Sequence, residues 1–372
     1  MIRICIYGAG AVGSHLAVRL ATHPDVALSV IARGEHLAAI RRNGLTLETD
    51  TASLHAWPDQ AVDHPQDLPQ QDIVIIGLKA TDIAGEAIGI GSLLDDGGLA
   101  VFLNNGIPWW WQYGQIPHPV CVGARESANA QTLTLLDPDA TLWSHVRPQR
   151  VIGGVVYSQN ELEAPGRVRH RGQTHIHLGE PQRSPSGVPS DRLSALLNLF
   201  TESGLHTTYA DDIRACIWEK LLVNIASNPI CTLTRLDNQS RQQAMELVDL
   251  GHVLQAEIRT LATAMGWQLT SPLEFLPDCS TRFSVTSGQS HRPSMLQDVM
   301  RDRALEVDAL VGQPLQFARK LGIATPVLDV VYALLNGLDR SIRQQSYRYL
   351  PIKSRGVASA PSLSRPFSQP QK

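Results

Sequence analysis

The chain has 372 residues, 43% of them hydrophobic and 18% charged. At roughly 100–200 residues per domain this suggests two or three domains with sizeable cores and excludes wholesale disorder. Lys and Arg total 32 against 35 Asp and Glu, a net charge of -3. No basic excess points to nucleic acid or to an anionic membrane, so any phosphate site must be local.

Residues 3–7 form a short apolar, β-branched run that ends at Gly8 and reads as a buried parallel strand. Helical spacing follows over 14–22, then a second apolar strand over 27–31. Strand, glycine turn, helix and strand make a βαβ unit. Three more buried runs, 72–78, 99–103 and 120–123, extend the pattern to a doubly wound parallel sheet of the Rossmann type. Residues 151–157 and 174–178 are longer strands around a Pro-Gly turn at 165–166, which predicts antiparallel pairing. A helix over 192–203 and a strand over 205–209 close this half. Beyond Ala210 only helices are predicted: 213–226, 241–265, 295–310, 315–321 and 327–338. The expected division is an α/β dinucleotide domain at 1–209, an all-α substrate and catalytic domain at 210–350, and a flexible tail at 351–372 rich in Ser, Pro and Gln.

No apolar run approaches the ~20 residues that span a bilayer, and the N-terminal apolar stretch meets its glycine loop too early for a signal segment. The cysteines at 5, 121, 216, 231 and 279 form no CxxC pair. Reduced thiols and a cytoplasmic location are expected.

Gly8-Ala9-Gly10-Ala11-Val12-Gly13 follows a strand and opens a helix, the context a GxGxxG phosphate loop requires. Gly8 permits the tight turn, Gly10 a close approach to pyrophosphate, and Gly13 close packing of helix on strand. Arg33 stands just past the second strand, where an acidic residue would bind the ribose 2′-hydroxyl of NAD. A guanidinium suits a 2′-phosphate there, so NADPH/NADP+ is the expected cofactor. Lys79 and Asn105 each follow a strand, at the carboxyl edge where open α/β sheets bind ligands.

In the helical half, Lys220, Asn224 and Asn228 recur every four residues and share a helix face among Leu221, Leu222, Val223 and Ile225. An ammonium on a largely buried helix suits a proton donor near neutral pH. Pro229 is expected to end this helix beside Asn228. Ser294 in Pro293-Ser294-Met295-Leu296-Gln297-Asp298 suits an N-cap, and Glu306 falls near the same face twelve residues on. Trp109-Trp110-Trp111 suits either a wall of a ligand pocket or an anchor between domains, of which the anchor is preferred. His175 and His177 share a strand face without a third ligand, so no metal is expected. Tyr349 and Lys353 match a dehydrogenase pattern whose helix Pro351 would break, and no GxSxG elbow occurs.

These motifs together, over about residues 2–340, resemble the ketopantoate reductase (2-dehydropantoate 2-reductase) family. The resemblance implies a Rossmann domain and a helical domain with the active site between them, and NADPH-dependent reduction of 2-dehydropantoate to (R)-pantoate for pantothenate biosynthesis. It implies that Gly8–Gly13 bind pyrophosphate and that Lys79, Asn105 and Glu306 contact the cofactor side. Lys220 is then the proton donor, and Asn105, Asn224, Asn228, Asn238 and Ser294 hold the substrate. The chain is longer than a typical member around 109–150 and after 340. Two alternatives stay open: a reductase of another small 2-oxo acid on the same architecture, and a dinucleotide sensor without catalysis. A homodimer stays open as the assembly.

Overall fold

The computed structural model describes residues 1–115, 132–269 and 292–344. Strand β1 (Ile2–Tyr7) runs parallel to β2 (Val26–Ile31) on one side and to β6 (Gln71–Ile76) on the other, and β7 (Leu94–Phe102) follows β6. Helix α1 (Ala11–Leu20) crosses over between β1 and β2. The continuous apolar strands predicted from the sequence are there because both faces of this sheet are covered. One face carries Ile4, Ile6, Leu28 and Val30 beneath α1 and α2 (Gly34–Asn43). The other carries Tyr7, Val74, Ile76 and Phe102.

The sheet is larger than the expected parallel core and is mixed. Its order is β4-β3-β9-β8-β7-β6-β1-β2-β5, with β10 on β9. The added strands are β3 (Leu45–Glu48), β4 (Ser53–Ala56) and β5 (Gln60–Val62), which are too short and too polar for their periodicity to announce them. The long β8 (Val151–Ala164) and β9 (Arg167–Gly179) pair antiparallel around Pro165 and Gly166, as their turn chemistry predicts. Strand β10 (His206–Tyr209) lies parallel along β9, after helix α6 (Asp191–Glu202). Between β6 and β7 stand the short α3 (Ala80–Ile83) and α4 (Ala87–Leu93). Helix α5 (Thr141–His145) precedes β8. The expected strand at 120–123, Cys121, Cys279, and the tail at 351–372 with Lys353 lie outside the described residues.

From Ile213 the described chain is helical. Helix α7 (Ile213–Thr234) starts on an Asp212 cap, whose carboxylate accepts from the Arg214 and Ala215 amides. It runs through Pro229 instead of ending there. A proline removes one donor from the ladder, and Asn228, Ile230 and Cys231, all buried, hold the segment in place. The helix predicted over 241–265 is broken at Ala244 into α8 (Asn238–Gln243) and α9 (Met245–Ala264). The one predicted over 295–310 is also broken. Helix α10 (Ser294–Val299) stops, Asp302 takes a left-handed φ of 53°, and a π-helical turn spans Asp308–Gly312. Helices α11 (Gln313–Leu321) and α12 (Pro326–Gln344) complete the half.

One apolar core joins the two halves. It runs from Tyr7, Ile76 and Phe102 through the tryptophan run into Trp218, Leu254, Phe317 and Leu328. Trp109, Trp110 and Trp111 are buried, and Trp111 meets the rings of Trp218, Trp267 and Phe317 at 5.4–6.3 Å. The run is therefore the anchor between the halves. Each buried indole withdraws roughly 150–250 Å² from water, on the order of 4–6 kcal/mol before ordering costs. All three indole N–H groups are buried without an acceptor, a cost of about 1–3 kcal/mol each. Arg214 on α7 fastens the run. Its guanidinium lies 5.6–5.7 Å from the centroids of the Trp110 and Trp111 rings and donates to the carbonyls of Trp111, Tyr113 and Pro181.

Candidate active site

The glycine loop turns at the carboxyl edge of β1. Gly8 has φ 98°, and its amide and that of Ala9 donate to Ile31 O on β2 at 3.1 and 3.2 Å. A Cβ on Gly13 would overlap Gly8 O, so only glycine lets α1 sit this close to the turn. Gly77, at the end of β6, meets the same carbonyl and is equally restricted. It had a visible signal, a glycine closing an apolar strand before Lys79. Gly10 differs: its nearest neighbour to a Cβ would be Gly77 O at 3.9 Å, so the backbone lies open. No side chain caps α1, and Ser14 Oγ instead donates to Ala9 O at 2.8 Å and pins the loop. An open, uncapped helix N-terminus behind a close-packed glycine turn fits a dinucleotide pyrophosphate. Ala11 and Val12, half-buried, form the first turn. Arg33 stands at the N-cap of α2, its side chain 71% exposed and ion-paired with Glu86.

Lys79 does not stand free at its strand end. It is ion-paired with Asp298 of α10 and lies 3.7 Å from Glu306. Burial pulls its ammonium down, but the Glu306 and Asp298 carboxylates outweigh that and its pKa is raised. Lys79 stays charged and ties the sheet to the helical half. Glu306 also accepts the Ala80 amide at 2.9 Å. It reaches this place because the chain reverses after α10. A continuous helix face from Ser294, as the spacing suggested, does not exist. Asp298, which sequence reasoning passed over, is 4% exposed and is the tighter of the two partners.

Asn105 is half-buried on the loop after β7. Its neighbour Asn104 donates to Leu78 O, and Gly106, at φ 81°, lets the loop touch the π-helical turn, where Ile107 N donates to Ala309 O at 2.9 Å. A crevice opens here, walled by Phe102, Asn105, Gly154, Ile217, Trp109 and Trp110, so two of the three tryptophans also line a pocket. Ile217 lies on α7 one turn before Lys220.

Lys220 is half-buried rather than buried. Its Nζ donates to Val156 O of β8 at 2.6 Å and lies 5.7 Å from the centroid of the Tyr157 ring. It is thus held over the strand beside β7, not in bulk water. Asn224 and Asn228 follow on the same face, the stripe extending about 12 Å. Asn228 Nδ2 donates to Asn224 Oδ1 at 3.2 Å. Asn228 Oδ1 in turn receives Met295 N at 3.2 Å and Ser294 Oγ at 3.4 Å. Ser294 is the first residue of α10, after Pro293, and makes no capping bond; its hydroxyl turns to α7 instead. Asn224 Nδ2 is buried without a partner, an orphaned donor pointing to a missing acceptor. Asn238, at the start of α8, accepts from Cys231 Sγ at 3.6 Å, one turn past Asn228.

Helix α10 joins the pieces: Ser294 meets Asn228 at one end and Asp298 meets Lys79 at the other. Contacts therefore link Lys79 and Glu306 through α10 to Ser294, Asn228 and Asn224, while Asn105 lines a crevice with Ile217, one turn before Lys220 on α7. Asn238 closes the far end of the stripe, and Arg33 lies apart, beyond the glycine loop. The histidine reading needs correction. His206 of β10 supplies a third ring, its Nδ1 2.6 Å from His175 Nδ1, because β10 pairs beside β9. The short ring-to-ring hydrogen bond engages both nitrogens. Among the described residues no group of three or more His, Cys, Asp or Glu side chains could hold a metal. Among them, too, no helix is long and apolar enough to cross a membrane. Cys5, Cys216 and Cys231 are free thiols.

A glycine-looped, mostly parallel sheet packed on a helical half that carries a Lys/Asn/Asn/Ser stripe has the build of a two-part dinucleotide oxidoreductase. The model of the family "Ketopantoate reductase PanE/ApbA" matches residues 4–183, and that of its C-terminal domain matches 212–339. A 2-dehydropantoate 2-reductase of Mesorhizobium japonicum is 37% identical over 338 residues, 91% of this chain and 98% of that protein. A solved structure from Ralstonia solanacearum, described as a candidate ketopantoate reductase, superimposes with a TM-score of 0.78 at 31% identity, covering 92% of this chain and 99% of that one. The fold is also that of a D-mandelate dehydrogenase solved with NADH and anilino(oxo)acetate, at a TM-score of 0.74 and 22% identity over 92% of this chain and 100% of that one. The chain belongs to the ketopantoate reductase family.

Proposed function

We propose that the chain reduces 2-dehydropantoate to (R)-pantoate with NADPH, in pantothenate biosynthesis. The observation that carries this reading is the linked stripe of Lys220, Asn224, Asn228 and Ser294, with the buried Asn224 Nδ2 donor left without an acceptor. Its likeness over most of its length to a 2-dehydropantoate 2-reductase supports the substrate, and Arg33 beyond the glycine loop supports the 2′-phosphate.

The dinucleotide, when bound, supplies a hydride to the 2-oxo carbon. Gly8–Gly13 would hold its pyrophosphate, and Lys79, Asn105 and Glu306 would contact it from the strand ends and the helical half. Negative charge grows on the carbonyl oxygen as that carbon becomes tetrahedral. The Lys220 ammonium stabilises the charge and gives its proton to the oxygen. Asn224, Asn228, Asn238 and Ser294 are neutral and directional, suited to a carboxylate and a hydroxyl. The hydrogen bond to Val156 O holds Lys220 Nζ in place over β8, which spares it the entropy of being ordered during turnover.

The test follows NADPH oxidation with 2-dehydropantoate at the nicotinamide absorbance band. Lys220→Ala should lower kcat by about 10²–10⁴-fold, while NADPH binding measured by fluorescence stays within a few-fold. Unchanged turnover would remove Lys220 from the mechanism. Dinucleotide binding without turnover on any small 2-oxo acid would favour the sensor. The second reading, another 2-oxo acid, draws on the fold shared with a D-mandelate dehydrogenase and on the apolar wall of Phe102 and Ile217 beside Asn105. A substrate panel including an aryl 2-oxo acid separates the two. A homodimer in the cytoplasm belongs to the same proposal, and light scattering reports the assembly.

A further inference from the structure

The end of the nucleotide site beyond the glycine loop holds three residues in series. Tyr7, the last residue of β1 before Gly8, is 1% exposed, and its hydroxyl donates to Glu86 Oε2 at 2.6 Å. The other carboxylate oxygen, Glu86 Oε1, pairs with Arg33 Nη2. Glu86 lies on the turn between α3 and α4, its side chain 23% exposed against 71% for Arg33. Room for the phenol depends on Gly89, where a Cβ would stand 2.9 Å from Tyr7 Oη. Burial, then the Glu86 carboxylate, holds the Tyr7 phenol above its usual pKa, so it remains a donor. The carboxylate is thus the fixed member of the series. The guanidinium is the exposed one, held at its outer end.

An arginine binds a phosphate through the same N–H fork that it offers to a carboxylate. A 2′-phosphate reaching Arg33 must therefore compete with Glu86 and sit beside its negative charge. A 2′-hydroxyl meets no such opposition, and a carboxylate is a good acceptor for it. We propose that Glu86, anchored by Tyr7 and paired with Arg33, is the residue that sets the discrimination between a 2′-phosphate and a 2′-hydroxyl, holding Arg33 back from the phosphate and keeping NADH usable. This rests on reading Arg33 as the 2′-phosphate ligand.

Equilibrium titration of the full chain with NADPH and with NADH, followed by nicotinamide fluorescence, tests it without reference to turnover. Glu86→Gln keeps the shape and removes the charge. The ratio of NADH to NADPH dissociation constants should rise about tenfold, the lower range of the effect of one charge at about 4 Å in a partly screened site. The rise should shrink in 1 M salt. Tyr7→Phe should move the ratio in the same direction by less, since the carboxylate loses its anchor but not its charge. Arg33→Ala is the control and should weaken NADPH alone. If Arg33→Ala weakens NADPH but Glu86→Gln leaves the ratio unchanged or lowers it, the role of Glu86 is overturned and Arg33 stands. If Arg33→Ala leaves the ratio unchanged, the 2′-phosphate reading fails and this inference with it.

Discussion

Gly106→Ala should loosen the joint that shapes the cleft. Gly106 has φ 81°, and a Cβ there would lie 2.5 Å from Ala309 C and closer still to Ala309 O. A left-handed conformation costs a non-glycine residue roughly 1–2 kcal/mol. Relieving the overlap costs about 1–3 kcal/mol more and displaces the loop from the π-helical turn. The hydrogen bond from Ile107 N to Ala309 O is then lost, at about 1 kcal/mol. Together the substitution should destabilise the chain by about 3–6 kcal/mol. Gly85→Ala is the control: a Cβ there meets nothing within 4 Å, so it should be neutral or slightly stabilising. Urea unfolding with fluorescence detection compares the midpoints, the buried tryptophans reporting on the joint between the halves. A loss below about 1 kcal/mol for Gly106→Ala would refute the claim that this contact is rigid.

Arg214→Met keeps the packing volume but leaves the carbonyls of Trp111, Tyr113 and Pro181 without this donor; unfolding should show a loss of about 3 kcal/mol or more, and a loss below 1 would mean water replaces it. Acid should destabilise the chain through His15. Burial first, then the charge of nearby His170, pushes His15 down to about 3, so it is neutral in the fold. A depressed histidine leaves stability intact above its unfolded value of 6.5 and removes it as pH falls from there toward 3. At pH 5 the loss should be about 2 kcal/mol against pH 7.5, and His15→Gln should flatten that part of the urea-midpoint profile; equal slopes for both proteins would contradict the burial argument.

What could be read before folding was whatever depends on near neighbours in the chain. A βαβ unit needs only period, glycine and length, so β1, the phosphate loop and α1 were legible. The Lys220, Asn224 and Asn228 stripe was legible because a helix converts spacing into a face. The antiparallel β8 and β9 were legible because Pro165 and Gly166 turn the chain locally. Chain-distant partners decided the rest. Nothing near Lys79 in sequence announces Asp298 or Glu306, and burial is what makes those charges pair. Pro229 looks like a helix end until the packing around Ile230 and Cys231 outweighs one missing hydrogen bond. Glu306 looked like a continuation of the Ser294 helix, yet only a break after Val299 carries it to Ala80. Local propensity is a matter of tenths of a kcal/mol per residue, whereas desolvating a charge or burying an indole is a matter of several. Motifs therefore survive from sequence to structure, and the partners that hold them in place are settled only when distant segments exclude water together.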